Sequence, residues 1–257
     1  MVNASLKAEG QAIEHPLTLP AEPQWGNYSE ALARMGAFDQ SNTLRGFARL
    51  TGNTMLIAGL TILFQLVTCS MAGYAFARLR FRGRNLLFVL VLATMMLPMQ
   101  VTVIPQFILF QQLGWIDTFY PLIVPSLLGG NPFFIFLFRQ FFLTIPRDVV
   151  EAAHMDGCSW WGIYRQIMLP LSRPVLAAVA VFAFLFVWND LWTPLIYLNS
   201  PENATLTLAL AGFSRTFRVA VELLMAASTV VLLPGLVVYF LTQKYFVTGV
   251  RLSAAKR

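Results

Sequence analysis

Five apolar runs, each long enough to cross a bilayer, dominate this chain. They cover roughly residues 53–77, 86–110, 119–142, 174–198 and 219–243. A hydrocarbon core about 30 Å thick needs about 20 mainly apolar residues in a helix. No water is available there, so backbone polar groups must be satisfied within helices or closed barrels. The runs are continuous rather than alternating, which selects helices. The chain is therefore read as an all-α polytopic membrane protein with five visible spans. Composition agrees: 12% of residues are charged, against about 25% in a soluble domain. Several spans carry proline: Pro98 and Pro105, Pro125 and Pro132, Pro194, and Pro234. Such breaks are tolerated where neighbouring helices or a water-filled cavity satisfy the freed backbone. That suits a transport bundle better than an inert anchor.

Basic residues give the direction of the spans, because Lys and Arg collect in cytoplasmic loops. Arg78, Arg80, Arg82 and Arg84 form one cluster. Arg139, Arg147, Arg165 and Arg173 form a second. Lys244, Arg251, Lys256 and Arg257 close the chain. With five spans all three regions fall on one side, the cytoplasmic one, with the C-terminus. The opposite side holds "QQLGWIDT", without a basic residue, and the 199–218 loop. The formal net charge of +6 needs no nucleic acid to explain it. This arrangement makes residues 1–52 an extracytoplasmic segment and 53–257 the transmembrane domain. The N-terminal segment is polar and nothing apolar precedes it. A first span missing from this chain is therefore expected, with Met1 an internal methionine or a miscalled start. A five-span protein with a translocated tail is the alternative.

One polar stretch, "EAAHMDGCSWWGIYRQIMLP", Glu151–Pro170, separates the third and fourth runs. Pro146 and Asp148 can open a helix. Gly157 can stop it in the left-handed conformation. Ser159 can cap a second helix through Trp160, Trp161, Tyr164 and Ile167 to Pro170. The result is a helix–turn–helix at about 146–170 on the cytoplasmic face. Small alanines permit close approach, Glu151 and Asp156 offer charge, and Met155, Trp160 and Trp161 offer apolar anchors.

The segment resembles the E-A-A loop of ABC-importer permeases. Glu151, Ala152, Ala153, Gly157, Ile167, Leu169 and Pro170 stand at that family's spacing. "AGYAFARLRFRGR" (72–84), "MMLPMQVTVIPQF" (95–107), "FRQFFLTIPRDVVEAAHMDG" (138–157) and "WNDLWTPL" (188–195) are similar to the carbohydrate branch, the MalG-like permeases of type I importers. The resemblance covers nearly the whole chain. It implies that Glu151, Ala152, Ala153, His154, Asp156, Gly157, Ile167, Leu169 and Pro170 couple the spans to a cytoplasmic ATPase. It also implies a second homologous permease, an ATPase homodimer carrying ATP and Mg, an extracytoplasmic sugar-binding protein, and residence in a bacterial inner membrane. His154 stands where Arg is usual, and Cys158 where Ala is usual. Ser253 and Arg257 depart from a Gly-rich tail. The family's six spans agree with a missing first one.

Other candidates have weaker signals. Asn189 and Asp190 are polar groups at the outer end of the fourth run, where ionisable residues are functional candidates; structural hydrogen bonding is the alternative. Phe182 and Phe186, one helical turn apart, can line a pathway or pack. Trp188 and Trp192 suit an interfacial aromatic belt better than sugar stacking. Glu222, at the start of the last span, can face the bundle or the interface. His15 is expected to be solvated. Pro201–Phe217 is read as a polar external loop, either facing a binding protein or merely connecting. The arginines at 78–84 are read as a topology signal and a contact for lipid headgroups.

The chain has no Gly-Lys pair for a phosphate-binding loop, so ATP hydrolysis is assigned to a separate subunit. Two His and two distant Cys give neither a metal cluster nor a disulfide framework, and no cofactor is expected on this chain. Glycerol-3-phosphate or another small solute is the alternative cargo. A secondary transporter is disfavoured, because the span interiors hold almost no acids for ion coupling.

Overall fold

The structure, a computed structural model, describes residues 1–15, 17–36, 43–216 and 220–254. No strand occurs among the described residues. Three short helices come first: α1 (Val2–Ser5), α2 (Gln11–Glu14) and α3 (Gly26–Gly36). The apolar runs then appear as α4 (Thr43–Arg78), α5 (Arg84–Ala93), α6 (Met99–Gln112), α7 (Tyr120–Leu128) and α8 (Pro132–Thr144). The polar segment gives α9 (Arg147–Met155) and α10 (Trp160–Ile163). A π-helical stretch, Tyr164–Met168, leads from there into α11 (Leu169–Leu171). The remaining helices are α12 (Arg173–Trp188), α13 (Trp192–Tyr197), α14 (Leu206–Thr216) and α15 (Val221–Ala254).

Three helical stretches are long and apolar enough to span: Arg45–Arg78, Tyr120–Thr144 and Val221–Thr242. Two bent pairs raise the number to 5 if each counts as one span. The first bends by 98° between Met96 and Met99. Leu97, just before Pro98 in that break, has extended backbone (ψ 118°), since proline disfavours helix at the residue before it. The second pair, Trp160–Leu171 and Arg173–Trp188, bends by 76°. Two boundaries differ from the sequence expectation. Helix α4 begins at Thr43, ahead of the expected 53, and Leu50, buried, carries its packed face toward the N-terminus. The fourth run is not one helix to residue 198: it ends at Trp188 and resumes at Trp192.

The chain divides into two compact units. The first holds Met1–Ala58, Trp115–Pro121 and Leu185–Phe240. In it the N-terminal residues are packed. Asn27 Nδ2 donates to the carbonyls of Ser5 and Lys7 at 2.8 and 2.9 Å, and the Lys7 ammonium donates to the His15 carbonyl. His15 itself is exposed, as expected. Glu222 faces inward, 2% exposed, and accepts from the Ala12 N–H at 3.1 Å. Residues 201–216 are not a loop. They form a 3₁₀ turn and α14, with Ala204, Thr205, Leu206 and Ala209 buried. The Leu206 N–H reaches Thr54 Oγ1 at 2.9 Å. Phe217, the end of the expected loop, lies outside the described residues.

The second unit holds Gly59–Gly114, Leu122–Phe184 and Leu241–Arg257. Its core is aromatic: Phe134, Phe138 and Phe142 are fully buried along α8, with Tyr74, Ile163, Tyr164, Met168 and Val179 around them. Without a hydrophobic drive between helices in lipid, tight association depends on small residues that let backbones approach. Gly73 on α4 is such a residue. A Cβ there would stand 2.5 Å from Phe138 Cβ, 3.0 Å from the Arg139 nitrogen and 3.2 Å from the Ile135 oxygen.

Candidate functional site

The second unit presents the segment that the sequence singled out. Helix α9 starts after Pro146, has Asp148 in its first turn and ends at Met155, with Asp156 as its cap and Gly157 next. Gly157 has φ +82°. Its N–H reaches the His154 carbonyl and the Cys158 N–H reaches the Ala153 carbonyl, both at 3.0 Å. These bonds satisfy carbonyls that a helix end leaves open. Ser159 Oγ then accepts from the Gly162 N–H at 3.1 Å and starts α10. Start, stop and restart are thus local devices written in Pro146, Gly157 and Ser159.

The two faces of this helix–turn–helix differ. Glu151, Ala152, His154, Asp156 and Gly157 are exposed, as are Met155 and Trp161 beside them. Pro170 is exposed farther along. The His154 ring stacks on Trp160, with centroids 5.2 Å apart and planes at 24°. On the other face Val150 and Ala153 are buried in the aromatic core with Ile163, Tyr164 and Met168. Ile167 and Leu169 are partly buried against the same core. The residues first grouped by sequence therefore separate into an outward row and an inward set of anchors.

Hydrogen bonds that the sequence did not signal tie the inward set to α4. Tyr164 Oη and Ser70 Oγ share a bond of 2.7 Å. Tyr74 Oη donates to the Trp160 carbonyl at 3.1 Å. The Arg78 guanidinium donates to the carbonyls of Phe142 and Ile145. These are the last carbonyls of α8 and of its exit, where a cation is favourable. Arg78 thus fastens the root of α9 to the end of α4. Of the 78–84 cluster, Arg84 also has an internal partner, the Leu79 carbonyl at 3.2 Å.

The other sequence candidates are dispersed. Phe182 packs edge-on against Phe133 at 6.2 Å, beside the core, whereas Phe186 is 61% exposed. Asn189 is exposed and turns its amide back to the Leu185 carbonyl at 2.8 Å. Asp190 Oδ1 accepts from the Thr193 N–H at 3.1 Å, at the start of α13. Both therefore have local structural bonds. Trp188 is not a belt residue: it is 2% exposed and its indole N–H donates to the Val231 carbonyl at 2.9 Å. An amphipathic ring buries fully only where its N–H finds a partner, and here α15 supplies one. Trp192 is 64% exposed, as a belt residue is.

Asp117, in the basic-free turn, was not singled out and is a hub of the first unit. Its Oδ1 accepts from the N–H groups of Asn199 and Ser200, each at 2.9 Å, and Oδ2 accepts from the Ser200 hydroxyl. Asn203 Nδ2 donates to its carbonyl at 2.7 Å, and its own N–H donates to Tyr197. Asp117 has φ +60°, a conformation Asp tolerates better than most residues. Burial pushes its carboxyl up, but the Ser200 hydroxyl, the Ser200 and Asn199 N–H groups and Asn203 pull it down to about 2, from 3.8. A lowered folded value adds stability above the unfolded value and loses it as pH falls through the folded one. The melting advantage of wild type over Asp117→Asn is therefore expected to be complete above pH 3.8 and to vanish towards pH 2. A pH-independent difference would refute the clamp. At neutral pH, Asp117→Ala is expected to cost about 1–2 kcal/mol, reduced from the usual charged hydrogen-bond value because the site is partly open to solvent.

The fold is all-helical among the described residues, with apolar stretches long enough to cross a membrane and a polar, two-faced helix–turn–helix at 147–163. The family described as "binding-protein-dependent transport system inner membrane component" matches residues 69–252. The chain belongs to that family, the membrane permeases of ABC importers. It is 36% identical over 204 residues to the arabinooligosaccharides transport system permease protein AraQ of Bacillus subtilis (strain 168), covering 79% of this chain and 72% of that one. It is 29% identical over 257 residues to the melibiose/raffinose/stachyose import permease protein MelC of the same organism, covering 100% and 89%. Among solved structures, a bacterial ABC transporter involved in the import of the acidic polysaccharide alginate superposes with a TM-score of 0.76. The sequence identity is 23%, over 95% of this chain and 88% of that one. At that identity the likeness speaks for the fold.

Proposed function

We propose that this permease carries a sugar, forms half of a translocation pathway with a second homologous permease, and is driven by a cytoplasmic ATPase homodimer through α9 and α10. An extracytoplasmic binding protein delivers the sugar. The relatives' names favour oligosaccharides over glycerol-3-phosphate. The observation that carries the coupling reading is the two-faced helix–turn–helix. Its outward row can grip a partner while Val150, Ala153, Ile163, Tyr164 and Met168 hold its back in the core. A lever needs both properties, since a push on one face reaches the spans only if the other face cannot slip.

In this reading ATP closes the ATPase dimer, the lever moves with it, and the spans shift between two global states that the nucleotide biases differently. The basic ends at 78–84 and 139–173 are then cytoplasmic, with the C-terminus. The turns at 115–119 and 198–205, gathered with the N-terminal helices in the first unit, face outward. Residues 1–52 belong to that outer side and 53–257 to the transmembrane domain.

The test reverses the charge on the outward row. The complex carrying Glu151→Lys is expected to assemble and to hydrolyse ATP, but to lose most of the stimulation given by sugar-loaded binding protein, together with uptake. Wild-type stimulation in that variant would reduce the segment to a connector.

A further inference from the structure

We infer that the recess beside the α4–α5 turn is a binding site for the phosphate of an anionic phospholipid headgroup, and that its occupant bridges this turn to the root of α9. The inference rests on the coupling reading above only for its consequence, not for the site itself.

The recess has a volume of about 590 Å³ and is built from residues 80–86 and Arg147. Arg80, Arg82, Arg84 and Arg147 line it, and no carboxylate does. Among the described residues no acid lies within ion-pair distance of Arg80, Arg82 or Arg147. Gathering four guanidinium groups without a counter-charge costs repulsion, and an anion removes that cost. Guanidinium forks match the oxygens of an oxyanion such as phosphate two at a time, so a phosphate suits them better than a halide. Helix α5 adds to the field. It starts at Gly83 (φ +80°), with no side-chain cap and no acid in its first turn, so its positive end is uncompensated at the same recess.

The source of the phosphate follows from the neighbours. Phe81 stands between Arg80 and Arg82 and is 41% exposed; Leu86 and Leu87 follow at 65% and 48%. Exposed apolar side chains alternate with the arginines at the end of a spanning helix. A lipid fills both needs, with its phosphate on the arginines and its acyl chains on the apolar side chains, whereas a soluble phosphate ester fills one. Basic pockets at the cytoplasmic ends of spans attract anionic headgroups for the same reason.

Arg147 is what makes the site more than an anchor. It opens α9, and it also lines the adjoining cavity of about 520 Å³, which includes Glu151 and Trp160. A headgroup held between Arg80 and Arg147 braces the lever at its base, beside the Arg78 clamp on Phe142 and Ile145.

The experiment uses the assembled importer in nanodiscs of phosphatidylcholine, with and without phosphatidylglycerol. Wild type is expected to retain phosphatidylglycerol selectively in native mass spectrometry. The double variant Arg80→Gln with Arg147→Gln is expected to retain several-fold less, and Arg80→Lys, which keeps the charge but loses the fork, to fall between the two. A photo-crosslinking phosphatidylglycerol on wild type, which needs no altered fold, is expected to label the peptide containing residues 80–86. Equal retention in wild type and the double variant, or labelling elsewhere, overturns the site. Inorganic phosphate or glycerol-3-phosphate protecting the arginines from glyoxal modification, with phosphatidylglycerol giving no protection, overturns the lipid as its source. Retention does not depend on ATP: Glu151→Lys is expected to keep the lipid while losing stimulation, so failure of the coupling reading and failure of this one are separable.

Discussion

Gly73→Val is expected to abolish the folded permease. The Cβ alone would stand 2.5 Å from Phe138 Cβ, and backbone atoms of Ile135 and Arg139 close the remaining directions at 3.0–3.2 Å. A flexible side chain could swing away, but backbone in the middle of α8 cannot. Phe138 cannot yield either, being fully buried between Phe134 and Phe142. Overpacking of this kind typically costs about 1–3 kcal/mol, and more where no neighbour relaxes. Val adds β-branching to that, in a helix crossing built on close approach. The measurement is size-exclusion behaviour and melting of the detergent-solubilised complex. Wild type gives one assembled species; Gly73→Ala is expected to melt lower, and Gly73→Val to yield aggregate or no complex. A Val variant that assembles and melts like wild type would show that α4 and α8 do not cross as closely as described. Cys69 and Gly130 make a second close contact of the same kind, where a Cβ would stand 2.7 Å from the Cys69 sulfur.

These close contacts mark the limit of what the sequence could reveal. The five apolar runs were legible because membrane burial demands apolar side chains over a fixed length, whatever the neighbours. The helix–turn–helix was legible because Pro146, Gly157 and Ser159 act within three or four residues of themselves. Everything set by a distant partner was not. Trp188 looked like a belt residue because nothing near it in sequence announces the Val231 carbonyl. Pro201–Phe217 looked like a loop because Pro201, Glu202 and Asn203 open it, whereas Leu206 and Ala209 are buried by neighbours far away in sequence. Asp117 looked like an ordinary turn acid, although its donors come from 199–203. Its one local signal was weak: a lone Asp in a turn, beside Gly114 at φ +67°. Phe182 and Phe186 share helical spacing but differ in exposure, Phe182 being half-buried and Phe186 open.

Gly157→Pro is expected to uncouple transport from ATP hydrolysis without preventing assembly. Proline holds φ near −65°, whereas Gly157 sits at +82°, so the turn between α9 and α10 must take another path. The same change deletes the N–H that reaches the His154 carbonyl at 3.0 Å. Side-chain bulk is not the cause, because no atom lies within 4 Å of a Cβ built at this position. That separation of causes gives a graded series. Asn enters the left-handed region readily and is expected to stay close to wild type. Ala carries a left-handed strain of about 1–2 kcal/mol, enough to lower the population of the native turn roughly tenfold at ~1.4 kcal/mol. Pro is expected to remove it altogether. The core that anchors α9 and α10 from behind does not include Gly157, so the complex should still form. The readouts are binding-protein-stimulated ATPase activity and sugar uptake in proteoliposomes. Both should fall in the order Gly, Asn, Ala, Pro, while basal hydrolysis by the ATPase persists. If Pro and Asn behave alike, backbone conformation at this turn does not transmit the stroke, and the lever must act through the α11–α12 bend at Leu171–Arg173 instead.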